Sequence, residues 1–167
     1  CTNPRKSVMS QMLEIYEKYQ CSIIAIEDIH PSQTYMYGVI EGNLIEGSND
    51  IYRVSNMVEK PETINSPSNM GIIGRYILTP DIFEILKDIN PDKNGEIQIT
   101  DALLSQAKKG KVLAYKFKGQ RFDCGNVEGF VGATNYFAKK DRQLSLQNQK
   151  KVQEKLANQL LLMGSKF

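Results

Sequence analysis

The first thirty residues change from a helical to a strand-like spacing of apolar side chains. Between Ser7 and Tyr19 apolar residues recur at helical intervals, at Met9, Met12, Leu13 and Tyr16. The run that follows, from Cys21 to Ile26, is short and nearly continuous in apolar residues. A strand of that kind is covered on both faces, which is typical of a parallel sheet. The pattern therefore predicts an α/β fold with helices on both faces of the sheet.

Further strands follow, and their order indicates a hairpin. Residues 37–40 and 51–54 are strand-like and are separated by a polar, glycine-containing segment. The second of these strands continues to Val58 and ends before Pro61, because proline has no backbone donor for another pair. Residues 70–78 predict one more strand. The hairpin makes the sheet mixed rather than purely parallel.

Two short helices are expected after these strands. Thr79 is suited to the N-cap of a helix over residues 80–89, because Pro80 then occupies the first helical position. Thr100 or Asp101 is expected to cap the next helix, over residues 102–109, which Gly110 ends.

The C-terminal part predicts a strand and then a long helical region. Residues 112–117 alternate as a strand, and the spacing is helical from Val127 nearly to the end. The helical region begins with an apolar face, becomes very polar, and ends with apolar residues at Leu156, Leu160, Leu161 and Met163. We therefore expect a domain over residues 1–138 and a helical tail over residues 139–167. The tail is expected to bury its apolar side chains in an oligomer.

Composition and charge narrow the possible functions. The 167 residues are 41% hydrophobic and 24% charged, which suits one globular domain with a substantial core. The net charge of +2 gives no reason to expect a nucleic-acid partner, and no apolar run is long enough to cross a membrane. The three cysteines are odd in number and lack metal-ligand spacing, so a reducing, cytoplasmic location is expected. The single histidine, His30, is expected in a loop, which disfavours histidine-dependent nucleophilic catalysis.

Three side chains are the strongest candidates for chemistry. Glu59 and Lys60 follow a predicted strand, where adjacent side chains can contact a polyol and a phosphate from different directions. Their alternative interpretation is an ordinary surface charge pair. Asp123 lies beside Cys124-Gly125 and could supply a carboxylate to a divalent metal. Its alternative role is to cap the helix that begins near Asn126, although Asn126 is nearer the capping position. Cys124 is expected to be a small buried residue.

The order of the motifs resembles one enzyme family over residues 7–136. The similar family is that of the bacterial UTP–glucose-1-phosphate uridylyltransferases, also called UDP-glucose pyrophosphorylases. Six ordered motifs carry the resemblance: Tyr37-Gly38-Val39, Val58-Glu59-Lys60-Pro61, Pro67-Ser68-Asn69, Gly74-Arg75-Tyr76-Ile77-Leu78, Gly95-Glu96-Ile97-Gln98-Ile99-Thr100-Asp101 and Phe122-Asp123-Cys124-Gly125-Asn126.

The resemblance implies a fold, a reaction and roles for five residues. The implied fold is the C-terminal half of a Rossmann-like nucleotidyltransferase, and the implied reaction converts UTP and glucose 1-phosphate to UDP-glucose and pyrophosphate with Mg²⁺. Lys60 is implied to contact the sugar phosphate and Glu59 the sugar hydroxyls, while the backbones of Gly38 and Ile72 face the sugar. Asp123 is implied to be a metal ligand. Lys60 and Asp123 are therefore the expected catalytic residues, whereas Glu96 and Asp101 are expected only to orient a helix.

The resemblance leaves out part of the family pattern. The glycine-rich nucleotide loop and the strand that ends in a second metal-binding Asp would both precede the residues present here. The chain by itself is therefore expected to be inactive, and base specificity lies outside it. Another sugar-1-phosphate nucleotidylyltransferase, or a non-catalytic fragment that acts through its tail, remains the alternative. Missing neighbours of the strand 21–26 are expected to leave open sheet edges, which favours a homo-oligomer.

Overall fold

A computed structural model describes residues 6–92 and 94–164, and from residue 156 onward the backbone alone. Two compact units make up the chain, residues 1–120 and 121–167. The helices and strands, in chain order, are α1 (Val8–Tyr19), β1 (Ser22–Asp28), β2 (Gly38–Leu44), β3 (Ile51–Glu59), β4 (Met70–Ile77), α2 (Ile82–Lys87), α3 (Ile99–Ala107), β5 (Val112–Lys116) and α4 (Val127–Gly164). Short 3-10 helices, Pro31–Met36 and Thr63–Asn65, precede β2 and β4.

Strand β1 is buried on both faces, as its sequence predicts. Ile24 and Ile26 pack into one core cluster with residues of α2, α3 and β3. Ile23 and Ala25 pack into a second cluster with residues of α1 and β5. Because successive side chains of a strand point to opposite faces, β1 carries apolar residues at every position from 23 to 26. The α/β class, the mixed sheet and the helices on both faces are confirmed.

The five strands close into a ring in the order β1-β4-β2-β3-β5. Strands β1 and β5 are parallel, whereas β1 with β4, β4 with β2, β2 with β3 and β3 with β5 are antiparallel. The expected hairpin is β2–β3. Strand β1 has a neighbour on each side, so the expected open edges beside residues 21–26 are absent. That prediction was wrong because β4 and β5, both later in the chain, provide the pairs.

The buried face of α1 differs from the predicted one. Val8, Met12 and Ile15 are buried, whereas Met9 and Leu13 are exposed. Gln11 shares the buried face, since its side chain donates to the Lys6 and Lys118 carbonyls and accepts from the Tyr115 hydroxyl and the Lys118 amide. A buried amide with partners for both of its polar atoms is tolerated there. Apolar spacing assigned Met9 and Leu13 to that face wrongly, but its assignment of Met12, which is buried, and of Tyr16, which packs against the same cluster, was correct.

Thr79 and Thr100 were predicted as helix caps, but neither residue caps a helix. The Thr79 hydroxyl joins a network with Ser22 and Gln106, both completely buried, and α2 begins at Ile82 without a side-chain cap. Thr100 lies inside α3, whose N-cap is Gln98. Both hydroxyls bond to side chains distant in sequence, which a local capping rule does not detect.

The second unit consists of a short turn and one long helix. Asn126 caps α4, because its side-chain oxygen accepts from the Gly129 amide at 2.8 Å. The helix continues through residue 138, so the division into residues 1–138 and 139–167 remains a prediction about function. The apolar group at Leu156, Leu160, Leu161 and Met163 lies outside the described side chains. Cys124 is exposed rather than buried.

Candidate functional site

Glu59 and Lys60 mark the end of β3 and lie in the same groove. Lys60 has a left-handed backbone with φ of 44°, which interrupts the alternation of side chains along the strand. Both side chains line one groove, although an extended strand would point them to opposite sides. Lys60 Nζ lies 4.0 Å from Glu59 Oε1. A residue other than glycine adopts this backbone region only at a cost in free energy. Strained backbone conformations of this kind are common at functional sites.

Gly38 lies beside both the Glu59 carboxylate and the Ile72 side chain, so four of the five predicted site residues are together. Gly38 begins β2 and pairs with Glu59. A methyl group at Gly38 would stand 3.0 Å from Glu59 Oε2 and 3.2 Å from Ile72 Cδ1. That space admits glycine but not a side chain without displacement of the neighbours. Ile72 itself is buried in the core cluster that includes Ile24 and Ile40.

Thr100 is a site residue that sequence reasoning placed in another role. Its hydroxyl donates to Glu59 Oε2 at 2.6 Å, and its side chain is buried. Tyr76 is also close: burial first, and then the negative charge of Glu59, raises the pKa of its phenol above the ordinary value. Both residues belong to quoted motifs, yet neither the 3.6 nor the 2.0 period indicates that residues 41 and 17 positions after Glu59 would lie near it.

The groove beside Glu59 and Lys60 has a volume of about 650 Å³ and is lined mainly by polar and charged residues. Its lining consists of Met57, Val58, Glu59, Lys60, Asp92, Asn94, Glu96, Gln98 and Asp101. Among these described residues Lys60 provides the positive charge, against four carboxylates. Such a lining offers many acceptors to hydroxyl groups and one cation to an anionic group. Glu96 and Asp101, expected only to orient a helix, therefore face the candidate site.

A second part of the groove lining is ordered by Asp92. One oxygen of its carboxylate accepts from the Asn94 and Glu96 amides, at 2.8 and 3.0 Å, and the other accepts from Gln98 Nε2 at 3.0 Å. Gly95 completes the turn with φ of 83°, where a side chain would be strained. The Gly-Glu-Ile-Gln-Ile-Thr-Asp motif thus forms both the loop and the first turn of α3.

Asp123 belongs to the second unit, within the turn before α4. Its Oδ1 accepts from the Gly125 amide at 3.0 Å, and its Oδ2 lies 3.4 Å from Arg121 Nη1. Gly129 fits closely beneath it, since a methyl group at Gly129 would stand 1.8 Å from the Asp123 carbonyl oxygen. Asn126 rather than Asp123 caps the helix, so the Asp123 carboxylate is not needed for that role.

The acidic groups do not by themselves form a complete metal site. Within residues 6–92 and 94–164, no three histidine, cysteine or acidic side chains gather as metal ligands would. Asp123 offers one partly exposed carboxylate, which fits the way Mg²⁺ is bound by one or two carboxylates together with water and substrate phosphates.

The part of the chain that the structure describes also has no helix long and apolar enough to cross a membrane.

Sequence comparison places the chain among nucleotidyl transferases. The nucleotidyl transferase family model matches residues 6–140. A UTP–glucose-1-phosphate uridylyltransferase of Pseudomonas aeruginosa is 57% identical over 130 residues, which are 78% of this chain and 46% of that protein. The Bacillus subtilis enzyme of the same name is 40% identical over 136 residues, which are 81% of this chain and 46% of that protein. The chain thus spans about half the length of the curated relatives it matches.

Solved structures give the same result. A UDP-glucose pyrophosphorylase crystallised with UDP-glucose matches with a TM-score of 0.78 and 51% identity, over 84% of this chain and 52% of that one. A UTP-bound UGPase from Acinetobacter baumannii matches with a TM-score of 0.69 and 27% identity, over 87% and 52%. The family model covers most of the sequence, and the fold agrees with it. The chain therefore belongs to the nucleotidyl transferase family, and its similarity is to the UDP-glucose pyrophosphorylases within it.

Proposed function

We propose that the whole protein transfers a uridylyl group from UTP to glucose 1-phosphate, giving UDP-glucose and pyrophosphate. In this proposal residues 6–120 bind the glucose 1-phosphate. The observation that carries the proposal is the pairing of the Glu59 carboxylate with the Lys60 ammonium group, 4.0 Å apart in one polar groove. The similarity to enzymes with this name supports it.

In this proposal the two charged side chains contact different parts of the ligand. The Glu59 carboxylate accepts hydrogen bonds from sugar hydroxyls, and Lys60 pairs with the phosphate. Because the other charged residues of the described lining are acidic, an anion without hydroxyl groups gains little in this groove, whereas a sugar phosphate satisfies both kinds of group. The backbones of Gly38 and Ile72 approach the sugar at the point where a side chain at residue 38 would collide with Glu59.

The chemistry of this reaction is mostly positioning. A phosphate oxygen of glucose 1-phosphate attacks the α-phosphorus of UTP in line, and pyrophosphate leaves. Lys60 holds the attacking phosphate and offsets part of its charge, so it acts by orientation and electrostatics. Asp123 would supply one ligand to Mg²⁺, which when bound neutralises charge on the phosphates. The remaining ligands come from substrate and from groups other than those described.

Two further properties belong to the same proposal. Cys21 and Cys124 are free thiols, which supports a reducing compartment such as the cytoplasm. Apolar side chains on α4 are exposed, including Val127 at 80% and Phe130 at 60%, which supports a homo-oligomer formed through this helix. Base specificity is the least supported part, so transfer of another nucleotidyl group to a sugar 1-phosphate is the alternative.

A segment exchange tests the activity. The 130 matched residues of the P. aeruginosa relative are replaced by the corresponding residues of this chain, and pyrophosphate release from UTP and glucose 1-phosphate is measured. We expect the hybrid to be active and the isolated 167-residue chain to be inactive. A folded but inactive hybrid would favour a non-catalytic role, and activity with a different nucleoside triphosphate would favour the alternative.

Lys60→Ala in the hybrid tests the assigned role. The KM for glucose 1-phosphate is expected to rise at least about tenfold with little change in the KM for UTP, because a charge-assisted contact of roughly 1.5–3 kcal/mol is lost. Lys87→Ala is the control, since Lys87 is an exposed lysine that pairs with Glu84 on α2 away from the groove. Equal losses for both substrates would argue against a role in sugar phosphate binding.

A further inference from the structure

Thr100 makes a close polar contact with Glu59. It lies in the first turn of α3, the residue is 4% exposed, and its hydroxyl donates to Glu59 Oε2 at 2.6 Å. A threonine hydroxyl has one proton, so this donation uses all of its donor capacity. The bond joins residues forty-one apart in sequence, across the interface between α3 and β3.

The contact gives the two oxygens of Glu59 different surroundings. Oε2 accepts from the Thr100 hydroxyl and lies beside the Gly38 backbone. Oε1 faces Lys60 Nζ, and both side chains line the groove. Glu59 is 30% exposed at its side chain, so without a partner on Oε2 the carboxylate could rotate toward solvent.

We propose that Thr100 is a positioning residue for the sugar site: it holds Glu59 Oε2 so that Oε1 points to the ligand. The inference rests on the proposed function, since it assigns Glu59 to the sugar. Thr100 does not contact the reacting atoms, and its contribution is the orientation of Glu59. Because such a residue orders the carboxylate before the ligand binds, less of the binding free energy is lost in ordering it.

The test is a titration of the 167-residue chain with glucose 1-phosphate, followed by NMR. Thr100→Val removes the donor but keeps the shape of the side chain, and we expect binding about tenfold weaker. Thr100→Ser restores the hydroxyl and is expected to bind within about twofold of wild type. Thr134→Val is the matched control, because the Thr134 hydroxyl donates to the Phe130 carbonyl in the other unit.

A double-mutant cycle separates positioning from mere structural support. In the Glu59→Gln background, Thr100→Val is expected to add little further loss, because the hydroxyl acts through the Glu59 carboxylate. Unchanged binding in Thr100→Val, or losses that simply add in the double variant, would overturn the inference and leave the proposed function intact. Failure of Thr100→Ser to restore binding would also overturn it. A wild-type chain that does not bind glucose 1-phosphate would contradict the proposed function as well.

Discussion

The Cα of Gly129 lies so close to the Asp123 carbonyl that a methyl group there would stand 1.8 Å from the oxygen. This relationship joins the first turn of α4 to the residue expected to bind metal. Backbone cannot move aside as a flexible side chain can, so a larger residue at 129 must displace the Asp123 turn, the start of the helix, or both.

Gly129→Ala is therefore expected to destabilise the second unit by about 2 kcal/mol, even though alanine is the better helix former. Gly132→Ala is the matched control, because its added methyl group meets the Phe122 ring at an ordinary 3.8 Å. We expect that control to be neutral or more stable by up to roughly 1 kcal/mol. Urea denaturation followed by circular dichroism measures both. Equal effects of the two substitutions would show that the Asp123 turn does not require glycine.

The left-handed backbone of Lys60 predicts a conflict between stability and binding. Lys60→Gly removes the cost of the positive φ and is expected to be more stable than Lys60→Ala by about 1 kcal/mol, while both variants lose glucose 1-phosphate binding. Gln20, with φ of 50°, is the control position. Gln20→Gly should show the same advantage over Gln20→Ala in urea denaturation, with no effect on binding. Greater stability of Lys60→Ala than of Lys60→Gly would refute the prediction.

Tyr76 predicts a loss of stability in alkali. Burial, followed by the Glu59 charge, raises the pKa of the Tyr76 phenol, so the folded state holds its proton more firmly than the unfolded state. The resulting stabilisation is fully present below the ordinary tyrosine pKa of about 10 and is lost as the pH rises through the higher folded value.

Tyr76→Phe should therefore weaken the decline of unfolding free energy above about pH 10. A smaller decline should persist, because burial and then Asp50 raise the pKa of Tyr115 as well. Glu59→Gln should lower the pKa of Tyr76 without restoring its ordinary value, since burial is the larger cause. Tyrosinate absorbance measures this titration, and an unchanged Tyr76 pKa in Glu59→Gln would contradict the proximity of the two groups.

Self-association through α4 is expected to depend on its exposed apolar side chains. Phe130→Lys replaces a side chain that is 60% exposed and should reduce the apparent mass in light scattering, because a charge at an apolar contact is costly. Gln147→Lys makes the same change of charge, from neutral to +1, at a polar, exposed position of α4 and is the control. A monodisperse wild-type monomer at about 10 micromolar, a concentration at which modest interfaces associate, would remove the basis for a homo-oligomer.

Local patterns in the sequence predicted much of the fold. The doubly buried β1, the β2–β3 hairpin and the helix from Val127 follow from periodicity and turn residues, which act over a few positions. The ring closure did not follow, because the pairing of β3 with β5 depends on register between segments sixty residues apart. The apolar face of α1 was partly misplaced for a related reason, since Gln11 is buried only because Tyr115 and Lys118 provide its partners.

The residues of the candidate site also fall into those that the sequence predicted and those that it did not. Gly38, Glu59, Lys60 and Ile72 were found through the motifs, and the structure brings them together. Thr100 was assigned a capping role because its neighbours in sequence suit a helix start, whereas its actual partner is Glu59. The left-handed Lys60 was also missed, since lysine before proline gives no signal for a positive φ.

The closed ring of strands has a consequence for synthesis of the protein. Strand β5 pairs with β1, about ninety residues earlier, and with the first residues of β3. Until Lys116 has left the ribosome, β1 and β3 each lack the partner strand that β5 provides. Contacts of such long sequence separation form slowly and expose aggregation-prone edges in the interval. We therefore expect a chain that stalls before Lys116 to expose strand edges that invite aggregation, and β5 to be the strand that closes them.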